Sequence, residues 1–145
     1  MDTQKIKQLL TLIANKSKSQ TDYGNTKKYI IEIIDYHDSI VSIDVNDVRD
    51  LFQEGGVIHA FNASVDASME NRMMLMMAKI MKHAECFEPY NHALVFFFFP
   101  EKQPMLTEEL QPFSDWIESV PGELRIKWGM ATQSTQELRA IILLQ

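Results

Sequence analysis

The chain is poor in the residues that most often announce a chemistry. Cys86 is its single cysteine, so neither a disulfide framework nor a CxxC zinc site can be assembled from it. That usage fits a reducing compartment, and a cytoplasmic location is expected. The glycines are Gly24, Gly55, Gly56, Gly122 and Gly129, and they form neither G-x-G-x-x-G nor G-x-x-x-x-G-K-[ST]. A recognisable nucleotide-cradling loop is therefore lacking in these residues. No stretch approaches the ~18 uninterrupted apolar residues of a membrane span. The opening residues, broken by Lys5 and Lys7, lack the continuous apolar core of a secretory signal. Net positive charge is missing too. The total is −6, divided as +1 over residues 1–41 (6 Lys against 5 acids) and −7 over residues 42–145 (8 basic against 15 acidic). An acidic main domain argues against nonspecific nucleic-acid binding, which needs many phosphate-neutralising cations.

What the chain does have is HALVFFFFP, His92–Pro100, with seven apolar residues in an unbroken run from Ala93 to Phe99. The run is shorter than the roughly ten residues that favour a helix, and consecutive aromatics suit a pleat. It predicts a strand apolar on both faces, central in its sheet and covered by helix on at least one side. The rest reads as cover for this strand or as its neighbours.

Residues 3–16 place Ile6, Leu9, Leu10 and Ile13 at helical spacing among lysines, giving a short amphipathic helix. Residues 16–26 are polar and turn-rich, and read as a linker or loop. Residues 1–26 thus form an appendage of helix and linker, and residues 27–145 the main domain. Lys27–Tyr36 carries isoleucines at helical spacing, although their β-branching leaves a strand open, and ends at His37-Asp38-Ser39. Ile40–Ile43 is a brief apolar link. Asp44 or Asn46 caps a helix reaching about Gln53, with Val45, Val48, Leu51 and Phe52 on one face, and Gly55-Gly56 ends it.

Val57–Val65 predicts a strand. Asp66 or Ser68 opens what reads as the longest helix, to about Ala84, with Met69, Met73, Met76, Met77, Ile80 and Met81 on its apolar side. Such a methionine stripe can line a binding groove, but packing against the phenylalanine strand accounts for it. After the central strand, a helix begins near Thr107-Glu108-Glu109 or later at Pro112, buries Phe113 and Trp116, and stops at Pro121-Gly122. Leu124–Met130 alternates as a half-exposed strand, in which Gly129 marks a bulge or a close backbone approach. Leu138–Leu144 is the last strand. The order strand-helix-strand-helix-strand-strand makes an α+β domain on one sheet, and its two strand–helix–strand units require parallel strands.

The histidines, His37, His59, His83 and His92, form no HExxH or HxH pair. His83 and Cys86 lie three apart near a helix end, a spacing common by chance. One acidic group stands out, Asp44, Asp47 and Asp50 in SIDVNDVRD. Two carboxylates three apart at a helix start can polarise a water or hold a cation, or one can cap the helix while the other is solvated.

SIDVNDVRDLFQEGG resembles the segment of the FtsZ/tubulin family that reads roughly N-V-D-F-A-D-V, then helix, then glycine. Glu70-Asn71-Arg72 is similar to the family's E-[ND]-R at the next helix, and Trp128-Gly129 followed by Glu137-Leu138-Arg139 to its closing I-W-G…L-R-V-T-V strand pair. Order and spacing agree over about residues 40–145, and more loosely from Lys27. The resemblance implies the family's C-terminal domain, with a four-stranded mixed sheet, two main helices, and a last strand running antiparallel between the first two. The family's N-terminal GTP-binding half, with its G-G-G-T-G-[ST]-G loop, is absent from these residues. In the family, aspartates matching Asp44 and Asp47 reach the next subunit and position water on its GTP. Here Ser42 stands for the family's asparagine and Val45 for its phenylalanine.

The expectation is a domain that is not an enzyme and needs neither cofactor nor metal. It would act as a protein-interaction module in tubulin-like filament assembly and cell division, presenting Asp44, Asp47 and Asp50 to a tubulin-like GTPase or to another copy of itself as an oligomer. Two alternatives stay open: a trans-acting half of a split GTPase that supplies Asp44 and Asp47 to a partner's nucleotide, and a small-molecule-binding domain.

Overall fold

The computed structural model describes residues 3–36 and 39–145. Its axis is β3 (His92–Pro100), in which every residue is buried. Because side chains alternate across a strand, the aromatic run feeds two cores. Ala93, Val95, Phe97 and Phe99 face one side, and Leu94, Phe96 and Phe98 the other. Helix covers both faces.

The first face is covered by α4 (Arg72–Ala84), through Met73, Met76, Met77 and Ile80, and by α5 (Gln111–Ser119), through Phe113 and Trp116. The second is covered by α1 (Thr3–Asn15), α2 (Gln20–Ile34) and α3 (Val45–Phe52), which bury Leu9, Ile13, Ile30, Ile33, Val48 and Phe52. Helix α1 therefore contributes Leu9 and Ile13 to the core. At α2, Ser19 accepts the Asp22 N–H as N-cap, and the helix starts at Gln20. Residues 20–26, expected as linker or loop, are helical. α2 has 15 residues against 13 for α4, so the longest helix is not the one the sequence suggested.

The sheet has five strands, not the four expected: β1 (Ser39–Val41), β2 (His59–Asp66), β3, β4 (Arg125–Gln133) and β5 (Glu137–Leu144), in the order β1-β4-β3-β5-β2. The addition is β1, in the segment read as an apolar link; it pairs antiparallel with β4 across an irregular register. β3 and β4 are parallel, and β5 runs antiparallel between β2 and β3, so β2 and β3 point the same way. The break expected at His37-Asp38-Ser39 falls partly on residues outside those described.

Gly129 shows why β1 can sit where it does. A Cβ there would lie 2.5 Å from the Val41 carbonyl oxygen and 2.7 Å from the Phe96 ring. α4 begins at Arg72, six residues after Asp66 and four after Ser68, the two expected openings, because Asp66 Oδ1 accepts from the Ser68 N–H and hydroxyl, at 2.9 and 2.8 Å, and holds a turn there. Met69 is left exposed. Both expected starts before α5 are realised in sequence: a 3₁₀ turn at Thr107–Leu110, then α5 with Pro112 in its first turn.

Candidate functional site

The acidic group lies at the start of α3. Asp44 is the N-cap: its Oδ1 accepts the Asp47 N–H at 2.9 Å, while Asp47 Oδ2 accepts the Asp44 N–H at 3.0 Å. This reciprocal capping box satisfies two backbone donors that the helix would otherwise leave open. Both carboxylates thus have structural work, and each still offers its outer oxygen to solvent or a partner. Lys127 of β4 stands 3.8 Å from Asp47 Oδ1, an exposed pair that adds little stability. Asp50 lies outside the box, exposed and 3.5 Å from the neighbouring Arg49. The structure brings Asp44 and Asp47 together and leaves Asp50 one turn away. Among the described residues, no group of three His, Cys, Asp or Glu could hold a metal ion.

The histidine candidates do other things. His83 stacks on Phe61 at 4.1 Å, and His59 on Phe87 at 4.2 Å, so both rings extend the aromatic packing at β2. Burial first, and then the Lys18 charge, lower the His59 pKa below its ordinary value, against a raising effect of Asp22. Cys86 is a free, exposed cysteine. His92 is buried, with Nδ1 2.6 Å from Gln145 Oε1. The Gln145 Nε2 group donates to Phe52 O and Gly56 O, so Oε1 is its acceptor and His92 donates from Nδ1. This joins the end of α3 to β3. His37 lies outside the described residues.

Two arginines from the resembling motifs turn out to be structural anchors. Arg72 makes bidentate bonds to Glu109, Nε to Oε2 and Nη2 to Oε1, both 2.7 Å, and donates to the carbonyls of Gln103 and Pro104. Arg139 pairs with Glu32 of α2 and lies over the Phe98 ring, 5.1 Å from its centre. The sequence placed both in motifs but gave no sign of their partners. Among the described residues, no helix is long and apolar enough to cross a membrane.

No protein-family model and no curated protein matches the chain. Solved structures do. An FtsZ variant from M. jannaschii superposes with a TM-score of 0.65 at 16% identity, over 87% of this chain and 39% of its own. An empty FtsZ dimer from M. jannaschii gives 0.62 at 15%, over 94% and 42%. TubZ from Bacillus thuringiensis serovar israelensis, as GDP-form protofilaments, gives 0.63 at 13%, over 86% and 37%. The chain spans about two fifths of the length of these proteins. Its fold is that of part of an FtsZ/tubulin-like protein.

Proposed function

We propose that the chain is a non-catalytic interaction module, equivalent to the C-terminal domain of an FtsZ/tubulin-like protein, that associates with a tubulin-like filament protein or with its own copies. One observation carries this reading: nearly the whole fold superposes on a part of proteins solved as a dimer and as protofilaments. The contact edge is the start of α3, where Asp44 and Asp47 stand fixed beside Lys127. A rigid carboxylate pair gives charge complementarity and register more than raw affinity. Because both acids are engaged in the cap, association is favoured here over proton transfer.

The test is co-sedimentation and binding with purified FtsZ, using Asp44→Ser with Asp47→Asn. Both substitutions keep an oxygen for the capping bonds and remove the charge. Micromolar binding by the native chain, weakened at least tenfold in the double variant, is expected. Binding unchanged in the variant would contradict the edge, and no binding would contradict the partner class. GTP turnover stimulated by the native chain and lost in Asp47→Ala would point instead to a split GTPase.

A further inference from the structure

We propose that the outer edge of β2 is a strand-addition site for an extended acidic segment of a partner protein. β2 ends the sheet, on the opposite side from β1 and apart from the carboxylates of α3. Backbone groups of alternate residues in a strand point to opposite edges. Gln145 and His92 exchange both backbone bonds, so the odd-numbered residues of β5 face β3 and the even-numbered ones face β2. The register then turns His59, Phe61, Ala63 and Val65 toward β5, and Ala60, Asn62 and Ser64 outward. Two observed bonds agree. The Ile58 N–H reaches outward to the Lys16 carbonyl at 2.8 Å, and the Ser64 carbonyl accepts outward from Lys79 Nζ at 2.7 Å. Between these two points, the N–H and C=O of Ala60 and Asn62 and the N–H of Ser64 meet no partner among the described residues. That is a row of donors and acceptors long enough for about five residues of an added strand.

Charge selects the occupant. Two separate hollows flank this edge, one lined on the α4 side by Lys79, Lys82 and His83, the other on the α2 side by Lys18 with Asp22. Three lysines face one acid there, on a chain whose net charge is −6. Asp66 closes the far end of the strand. A lysine on a free edge also discourages uncontrolled pairing. An acidic strand reverses that effect by drawing Lys79 from the Ser64 carbonyl to its own carboxylate. The exposed His83 ring, stacked on the buried Phe61 ring at 4.1 Å, offers a flat surface on one side of the added strand.

The probe is a fluorescein-labelled octapeptide alternating Glu and Val. Its controls are a Lys–Val counterpart and a Glu–Val peptide N-methylated at alternate residues in either phase. The full chain is titrated by anisotropy and by amide NMR. Saturable binding of the Glu–Val peptide is expected, with shifts at Ala60, Asn62 and Ser64. The Lys–Val peptide and one N-methylated phase should bind at least tenfold more weakly. Lys79→Glu with Lys82→Glu, both at exposed positions, should reverse the preference between the Glu and Lys peptides. Asn62→Pro, which removes an outward N–H and no bond to β5, should abolish binding. No saturable binding at millimolar peptide, equal affinity for the two charges, or indifference to N-methylation in both phases would overturn the proposal. Self-association of the chain that Asn62→Pro abolishes would also overturn it, by assigning the edge to a second copy. None of these readouts depends on FtsZ.

Discussion

Arg72 and Glu109, 37 residues apart, are joined by two bonds of 2.7 Å beneath the loop that follows β3. The guanidinium also lies 5.2 Å from the centre of the Phe99 ring and holds two loop carbonyls. Side-chain exposure is 7% for Arg72 and 13% for Glu109, so removing one partner strands the other in a poorly solvated place. Arg72→Met should cost about 3–5 kcal/mol in urea unfolding. Arg72→Met combined with Glu109→Met should cost less than Arg72→Met alone. A double variant at least as unstable as the single one would contradict the pairing.

The same pair sets an acid dependence. Burial raises the Glu109 pKa, but the bonds from Arg72, the Leu106 N–H and the Arg72 charge outweigh it, leaving the carboxyl below its ordinary value. A depressed folded pKa gives stability that is complete above the unfolded value of about 4.3 and is lost as pH falls through the folded one. Unfolding free energy should therefore fall on acidification below about pH 4.3, and the slope should be shallower in Glu109→Gln. Identical slopes would assign the acid sensitivity to other carboxylates.

Gly129 leaves no room for a side chain between Val41 and Phe96. Gly129→Ala should destabilise the fold by about 1–3 kcal/mol through overpacking. The damage should appear first as faster hydrogen exchange along β1. Uniform loss of protection across the sheet would mean that β1 is not the element displaced.

The capping box separates cap from charge. Asp44→Ala should cost about 0.5–2 kcal/mol, and Asp44→Ser should be close to neutral. Equal losses in the two variants would show that the charge, not the cap, stabilises α3.

Helix α1 is the remaining structural test. Leu9 and Ile13 are fully buried in the core behind Phe96 and Phe98. Deleting residues 1–15 should expose apolar surface, raise dye binding and promote oligomerisation. A monomeric, dye-silent product would show that α1 is dispensable cover.

The phenylalanine strand, the glycine stops and the alternation of β4 were legible because each is a local pattern with one physical reading. β1 was not, since three residues around an exposed Ile40 carry no periodicity; only pairing with β4 defines them. Ser19 as the cap of α2 was hidden in a turn-rich stretch, and Asp66 spent its carboxylate on a turn rather than a helix cap. Asp44 and Asp47 were legible as a carboxylate pair at a helix start, but that each accepts the other's N–H required coordinates. The partners of Arg72 and Arg139 lie 37 and 107 residues away, beyond any local pattern. Likewise, the free edge of β2 follows from strand order and pairing register, which no local pattern encodes.

The account rests most heavily on association with a tubulin-like filament protein. Light scattering from FtsZ assembling with GTP, with and without micromolar chain, tests it directly. A changed rate or plateau, restored toward that of FtsZ alone when Asp44→Ser and Asp47→Asn replace the native acids, is the predicted result. Assembly that is the same with and without the native chain would contradict it.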